Sequence, residues 1–107
     1  MSSPRIESLE KLVGTPRDGA LLRYGLGTAH AEAGNIDAAI THLARAVALD
    51  AGYSAAWSAL GRLLAEAGRR DEARAAWSSG LEAARAKGDK QAEKMMTVFL
   101  KRIEERQ

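Results

Sequence analysis

LGTAHAEAGNIDAA (residues 26–39) and LGRLLAEAGRRDEA (residues 60–73) are one phrase written twice, 34 residues apart. Sliding the chain by that interval pairs residues 20–53 with 54–87, and all eight identities fall inside this 14-residue window. The matched pairs are Leu26/Leu60, Gly27/Gly61, Ala31/Ala65, Glu32/Glu66, Ala33/Ala67, Gly34/Gly68, Asp37/Asp71 and Ala39/Ala73. A period of this length is one supersecondary unit, and its punctuation says which. Ala33-Gly34 and Ala67-Gly68 end a helix, because glycine readily takes the left-handed conformation that closes one. Each repeat is therefore predicted as two helices about a tight turn, at 19–33 and 36–49, then at 54–67 and 71–86. In the second of these, Ile36, Ala39, Ile40, Leu43 and Val47 recur at three- and four-residue spacing, the mark of an amphipathic helix. Gly27 and Gly61 lie mid-helix, where glycine costs about 1 kcal/mol relative to alanine. The same cost at the same place in both copies predicts a close helix crossing, with Ala39 and Ala73 on the facing helix.

The rest of the chain agrees with small-residue helix packing. It has 107 residues, room for one domain over 1–107, with 22 alanines, ten glycines, two prolines and five aromatics. Zero cysteines exclude disulfides, thiolate metal sites and thiol nucleophiles. Sixteen basic and fourteen acidic residues leave a net charge of +2, which neither requires nor forbids an acidic partner. No apolar run approaches the ~20 residues a membrane span needs, and no signal-type apolar core opens the chain. The expectation is a cytoplasmic protein.

The flanks read as caps. Ser3-Pro4 is a helix start, and Ile6, Leu9, Leu12 and Val13 line one face of a helix over 4–13 that ends at Gly14. At the other end, Ala92, Met95, Met96, Phe99 and Ile103 recur at helical spacing in a capping helix over 89–106. Asp50-Ala51-Gly52 separates the repeats, and Gly88 closes the second.

These residues resemble the tetratricopeptide repeat (TPR), whose pattern is Trp-x2-Leu-Gly-x2-Tyr, then Ala-x3-Phe, then proline, on a 34-residue period. The second copy supplies Trp57, Leu60, Gly61, Ala73 and Trp77, and the first supplies Leu26, Gly27, Ala39 and Leu43. Arg23 stands at the tryptophan position, His30 and Leu64 at the tyrosine, and neither copy has the closing proline. The resemblance implies an all-α fold, a short right-handed solenoid of antiparallel helix pairs with about six helices. It also implies a concave groove lined by the first helix of each pair, used to bind a peptide or helix of another protein. Helical projection puts Tyr24, Thr28, Ser58, Arg62, Met96 and Phe99 on that groove, with Met96 and Phe99 equally able to pack the last helix down. Some relatives of this kind clamp the acidic tail of chaperones with basic and amide side chains. Tyr24, Thr28, Ala59, Asp89 and Glu93 stand at those places and form no such clamp.

Chemistry beyond binding has little support in the residues. His30 falls on the packing side of its helix, and His42 between Thr41 and Leu43 reads as exposed. Glu32, two residues from His30, projects from a different face, so no third ligand is evident and no metal or cofactor is expected. No nucleophile, base and orienter come together, so catalytic residues are expected to be none. Arg69, Arg70 and Arg74, then Arg85, Lys87 and Lys90, form two basic clusters that Asp71, Glu72 and Asp89 interrupt. They read as ion-paired surface rather than a phosphate-binding stripe. The expected function is a non-enzymatic protein–protein interaction scaffold. The alternative is a self-associating module, motivated by apolar residues on more than one face of the last helix; nucleic-acid backbone binding ranks below both.

Overall fold

A computed structural model describes residues 3–105, and these hold six helices and no strand. The helices fall into two compact units that divide between Asp50 and Ala51. The first contains α1 (Pro4–Glu10), α2 (Ala20–Glu32) and α3 (Ile36–Leu49). The second contains α4 (Ser54–Glu66), α5 (Arg70–Lys87) and α6 (Lys90–Glu105). The expected helix pairs therefore lie within 20–53 and 54–87, and the fold is all-α.

In the first unit, Ser3 caps α1 from extended backbone, its hydroxyl accepting from the Ile6 amide at 3.2 Å, with Pro4 in the first turn. The helix is shorter than the expected 4–13. After Glu10 the amides of Leu12 and Val13 donate three residues back, to Leu9 and Glu10, so the chain tightens into a turn that closes at Gly14 (φ 81°). The next loop is pinned by Asp18, which accepts from the Gly14 amide at 2.9 Å and from Arg23 at 2.9 and 3.0 Å. Ile6 is buried where α1 packs on α2. The α2–α3 hairpin buries Leu26, Leu43, Ala39 and Ala46 completely. A Cβ placed on Gly27 would stand 2.5 Å from Leu43 Cγ and 3.3 Å from the Ala39 carbonyl, so the glycine permits the crossing.

The turn between the paired helices is the same in both units. Gly34 and Gly68 adopt φ of 82° and 79°. Asn35 and Arg69 donate backbone amides to the carbonyls of His30 and Leu64, both at 2.8 Å, five residues back. The glycine amides bond Ala31 and Ala65 at 3.1 and 3.0 Å. This crossed pair is a Schellman motif, which satisfies the last carbonyls of α2 and α4.

In the second unit, Gly61 meets the Trp77 indole directly, and Trp77 Nε1 donates to the Ser58 carbonyl at 3.2 Å. Gly80, about one turn further along α5, gives the matching clearance where Met96 of α6 packs beside Trp57. Asp89 caps α6, accepting from the Ala92 amide at 3.0 Å. The helix lies against α5 and touches α4, burying Ala92, Met96 and Ile103.

Candidate functional site

Packing α6 across the α4–α5 pair leaves a recess of about 420 Å³ on the second unit. Its floor is Trp77, Phe99 and Ile103. The Trp77 and Phe99 rings lie 5.1 Å apart at 33°, a tilted pairing typical of aromatic side chains. The indole N–H is already bound to a backbone carbonyl, so the ring offers the recess only its apolar surface. Around the rim stand Arg62 from α4, Arg70 from α5 and Arg102 from α6, against one acid, Glu66. Arg70 donates to the Ile103 carbonyl at 3.0 Å and so ties the end of α6 to the start of α5. Among the described residues, Arg62 and Arg102 have no ion-pair partner. Two free guanidinium groups over an aromatic floor suit a ligand with both an anionic group and an apolar side chain.

The structure sorts the six sequence-predicted groove residues. Arg62 and Phe99 meet in this recess. Ser58 and Met96 are buried. Ser58 is buried under the Trp77 indole it bonds, and Met96 fills the hollow above Gly80, so both are packing residues. Tyr24 and Thr28 are half-buried on α2 in the other unit, and the Thr28 hydroxyl bonds back to the Gly25 carbonyl at 3.1 Å. The sequence reads Arg70 as part of an ion-paired surface cluster and gives Arg102 no role. The helical period of α6 puts Arg102 three residues beyond Phe99, which was the available signal.

The basic clusters are ion-paired in part, while Arg70 turns instead to the Ile103 carbonyl. Arg69 pairs with Glu72 at 2.7 Å, Arg74 with Asp71 at 3.0 Å, and Arg85 and Lys90 share Glu93 at 3.2 and 3.8 Å.

The first unit holds an arrangement the sequence did not suggest. His42 is not exposed. Its ring stacks on His30 with centroids 5.5 Å apart and planes 7° from parallel, and both rings turn their Nε2 atoms to Glu10. Burial pushes the His42 imidazole below its ordinary pKa, against the opposing pull of the Glu10 carboxylate. The two polar partners of His30 thus come from α1 and α3, and Glu32 is not one of them. Glu32 points away and pairs with Arg5 at 3.6 Å.

Comparison with known proteins places these features in a family. One tetratricopeptide repeat model matches residues 30–96 and another matches residues 6–53. The TPR repeat-containing protein PA0015 of Pseudomonas aeruginosa is 48% identical over 99 residues, spanning 92% of this chain and 94% of that one. The solution structure of protein BPP2914 from Bordetella parapertussis is 42% identical and covers 99% of this chain and 91% of its own, with a TM-score of 0.80. A tetratricopeptide repeat domain protein from Salinibacter ruber is 26% identical, covers 83% of this chain and 89% of its own, and has a TM-score of 0.76. No helix among the described residues is long and apolar enough to cross a membrane. Period, glycine-permitted crossings and these matches agree: the chain belongs to the tetratricopeptide repeat family.

Proposed function

We propose that the protein is a non-enzymatic, cytoplasmic interaction module whose second unit grips an acidic, amphipathic segment of another protein. The observation behind this reading is the recess between α4, α5 and α6. Arg62 and Arg102 supply uncommitted positive charge above Trp77, Phe99 and Ile103. Aromatic and arginine side chains are the types that concentrate binding energy at protein interfaces. Tyr24 and Thr28, on α2, are proposed as a separate contact surface of the first unit.

The test is a panel of short peptides, each with one leucine or phenylalanine set among acidic, neutral or basic residues. Binding is followed by the fluorescence of Trp77 in a Trp57→Phe background. The acidic peptides bind best, binding weakens with salt, and Arg62→Glu with Arg102→Glu weakens it at least about tenfold. Equal binding of acidic and basic peptides, or an unaffected double variant, removes the reading.

Self-association is the second reading, and it rests on Met95 and Val98. Both are exposed on α6, and they stand three residues apart on one helix face. Sedimentation at high micromolar concentration detects a dimer that Met95→Glu abolishes; a monomer throughout eliminates it.

A further inference from the structure

Glu10, His30 and His42 come from α1, α2 and α3 respectively, and each presents one donor atom within 4.8 Å of the other two. Glu10 Oε1 lies 3.0 Å from His30 Nε2 and 3.7 Å from His42 Nε2. Each ring is also held from behind. His30 Nδ1 is 3.1 Å from the Asn35 side-chain amide, and His42 Nδ1 is 3.4 Å from the Arg23 guanidinium that Asp18 grips. The imidazoles are 11% and 13% exposed, whereas the Glu10 side chain is 44% exposed, so the cluster is walled on the histidine side and open on the carboxylate side.

We propose that Glu10, His30 and His42 form a binding site for a divalent first-row transition ion of the zinc type, held by two Nε2 atoms and one carboxylate oxygen. Imidazole with carboxylate is the donor set of Zn2+, Co2+, Ni2+ or Cu2+, not the all-oxygen set of Mg2+ or Ca2+. Zinc bonds of ~2.0–2.1 Å in a tetrahedron put neighbouring donors about 3.3 Å apart. The His30–Glu10 edge is already near that length, and the His42–Glu10 edge needs to close by a few tenths of an ångström. The two nearly parallel rings, with donor atoms within 4.8 Å, have to turn toward a common point. Three protein donors leave the fourth position to water on the exposed Glu10 side, and the ion fastens the end of the seven-residue α1 to the α2–α3 hairpin.

The surroundings favour one ligand more than the other. A ring that ligates through Nε2 carries its proton on Nδ1. The Asn35 amide nitrogen faces His30 Nδ1, and turning the amide about brings its oxygen inward to accept a hydrogen bond from that N–H. Arg23 has only donors to offer His42, so it opposes the ligating tautomer and holds affinity down.

The test is calorimetric titration of the full chain with zinc chloride, followed by absorption spectroscopy with cobalt(II) chloride. One Zn2+ binds per chain, the thermal midpoint rises, and Co2+ gives the visible bands of a four-coordinate site. Glu10→Gln and His42→Gln each weaken Zn2+ binding at least about tenfold with helicity unchanged. Arg23→Gln tightens it, which a hydrogen-bonded cluster with no metal role does not predict. The proposal fails if the wild-type chain shows no saturable one-to-one isotherm or no four-coordinate Co2+ spectrum, and neither measurement depends on a variant folding. It fails equally if folded Glu10→Gln binds as the wild type does.

Discussion

The two helix pairs share a backbone plan and fill it with opposite chemistry. At the 34-residue register Arg23 faces Trp57, His30 faces Leu64, His42 faces Ala76 and Leu43 faces Trp77. The first unit closes its crossing with a leucine and clusters its polar groups beside it. The second closes the same crossing with an indole and keeps its charges at the surface. What the repeat conserves internally is the clearance and the turn: Gly27 with Gly61, Ala39 with Ala73, and Gly34 with Gly68. The side chains that set the candidate sites apart, His30, His42 and Arg62, stand at positions where the two copies differ.

The largest expected effect comes from the crossing itself. An alanine at Gly61 drives its Cβ into a ring that packing and the Ser58 carbonyl hold still, whereas one at Gly27 meets a branched aliphatic side chain that can turn aside. Both substitutions gain about 1 kcal/mol of helix propensity, so the difference between them is packing. Gly61→Ala is expected to destabilise by about 3 kcal/mol and Gly27→Ala by about 1 kcal/mol, measured by urea unfolding. Trp77→Leu makes the second crossing imitate the first, and Gly61→Ala is then placed in that background. The two changes then couple by about 1–2 kcal/mol in a double-mutant cycle. Equal losses at the two glycines, or strict additivity, would break the comparison.

The second contrast is sharpened by making the first unit imitate the second. His30→Leu with His42→Ala installs the residues that Leu64 and Ala76 already supply. Glu10 is half open to water and can rehydrate when its partners go. Replacing the hydrogen-bonded rings by well-packed apolar groups is therefore expected to change stability by less than about 1 kcal/mol. A loss several times larger would mean the polar cluster is what holds the hairpin together.

Next comes Asp18. Arg23 donates two bonds to its carboxylate and the Gly14 amide a third, which together hold its pKa well below the usual carboxylate range. A carboxylate whose folded pKa is depressed stabilises above its unfolded value, near about 3.9, and that contribution fades as the pH falls through the folded one. Asp18→Asn is therefore less stable than wild type at pH 7, and the gap narrows steadily below about pH 4. Thermal midpoints across that range check it, and a gap that is flat or widens with acid contradicts it.

How much of this was legible in the sequence follows from the range of the interactions. The helix pairs, their turns and the glycine-permitted crossings are local or repeated, so the period exposed them. Residues 14–19 carry no helical period, and nothing in the chain announced that their path brings Glu10 within 3.0 Å of His30, twenty residues on. His42 looked exposed because its neighbours Thr41 and Leu43 straddle a face boundary that only the docking of α1 resolves. For α6, apolar residues on more than one face left Met96 and Phe99 undecided. The hollow at Gly80, opposite Trp57, settles Met96 inward and leaves Phe99 half-buried at the recess.

The smallest effect belongs to the surface pairs of the second unit. Arg74 and Asp71 meet at 3.0 Å, with side chains 31% and 94% exposed, against 16% and 19% for Arg23 and Asp18. An exposed pair exchanges little hydration for its attraction and gives up side-chain freedom to make it. Asp71→Ala is expected to cost about 0.3 kcal/mol, and added salt should erase most of that. Arg74→Ala tests something further, since that arginine is the better covered member of the pair and an arginine can shield apolar surface along its length. If Arg74→Ala costs clearly more than Asp71→Ala and resists salt, the stem is a packing element. The line between an apolar interior and a purely peripheral set of charges in the second unit would then have to be redrawn at α5.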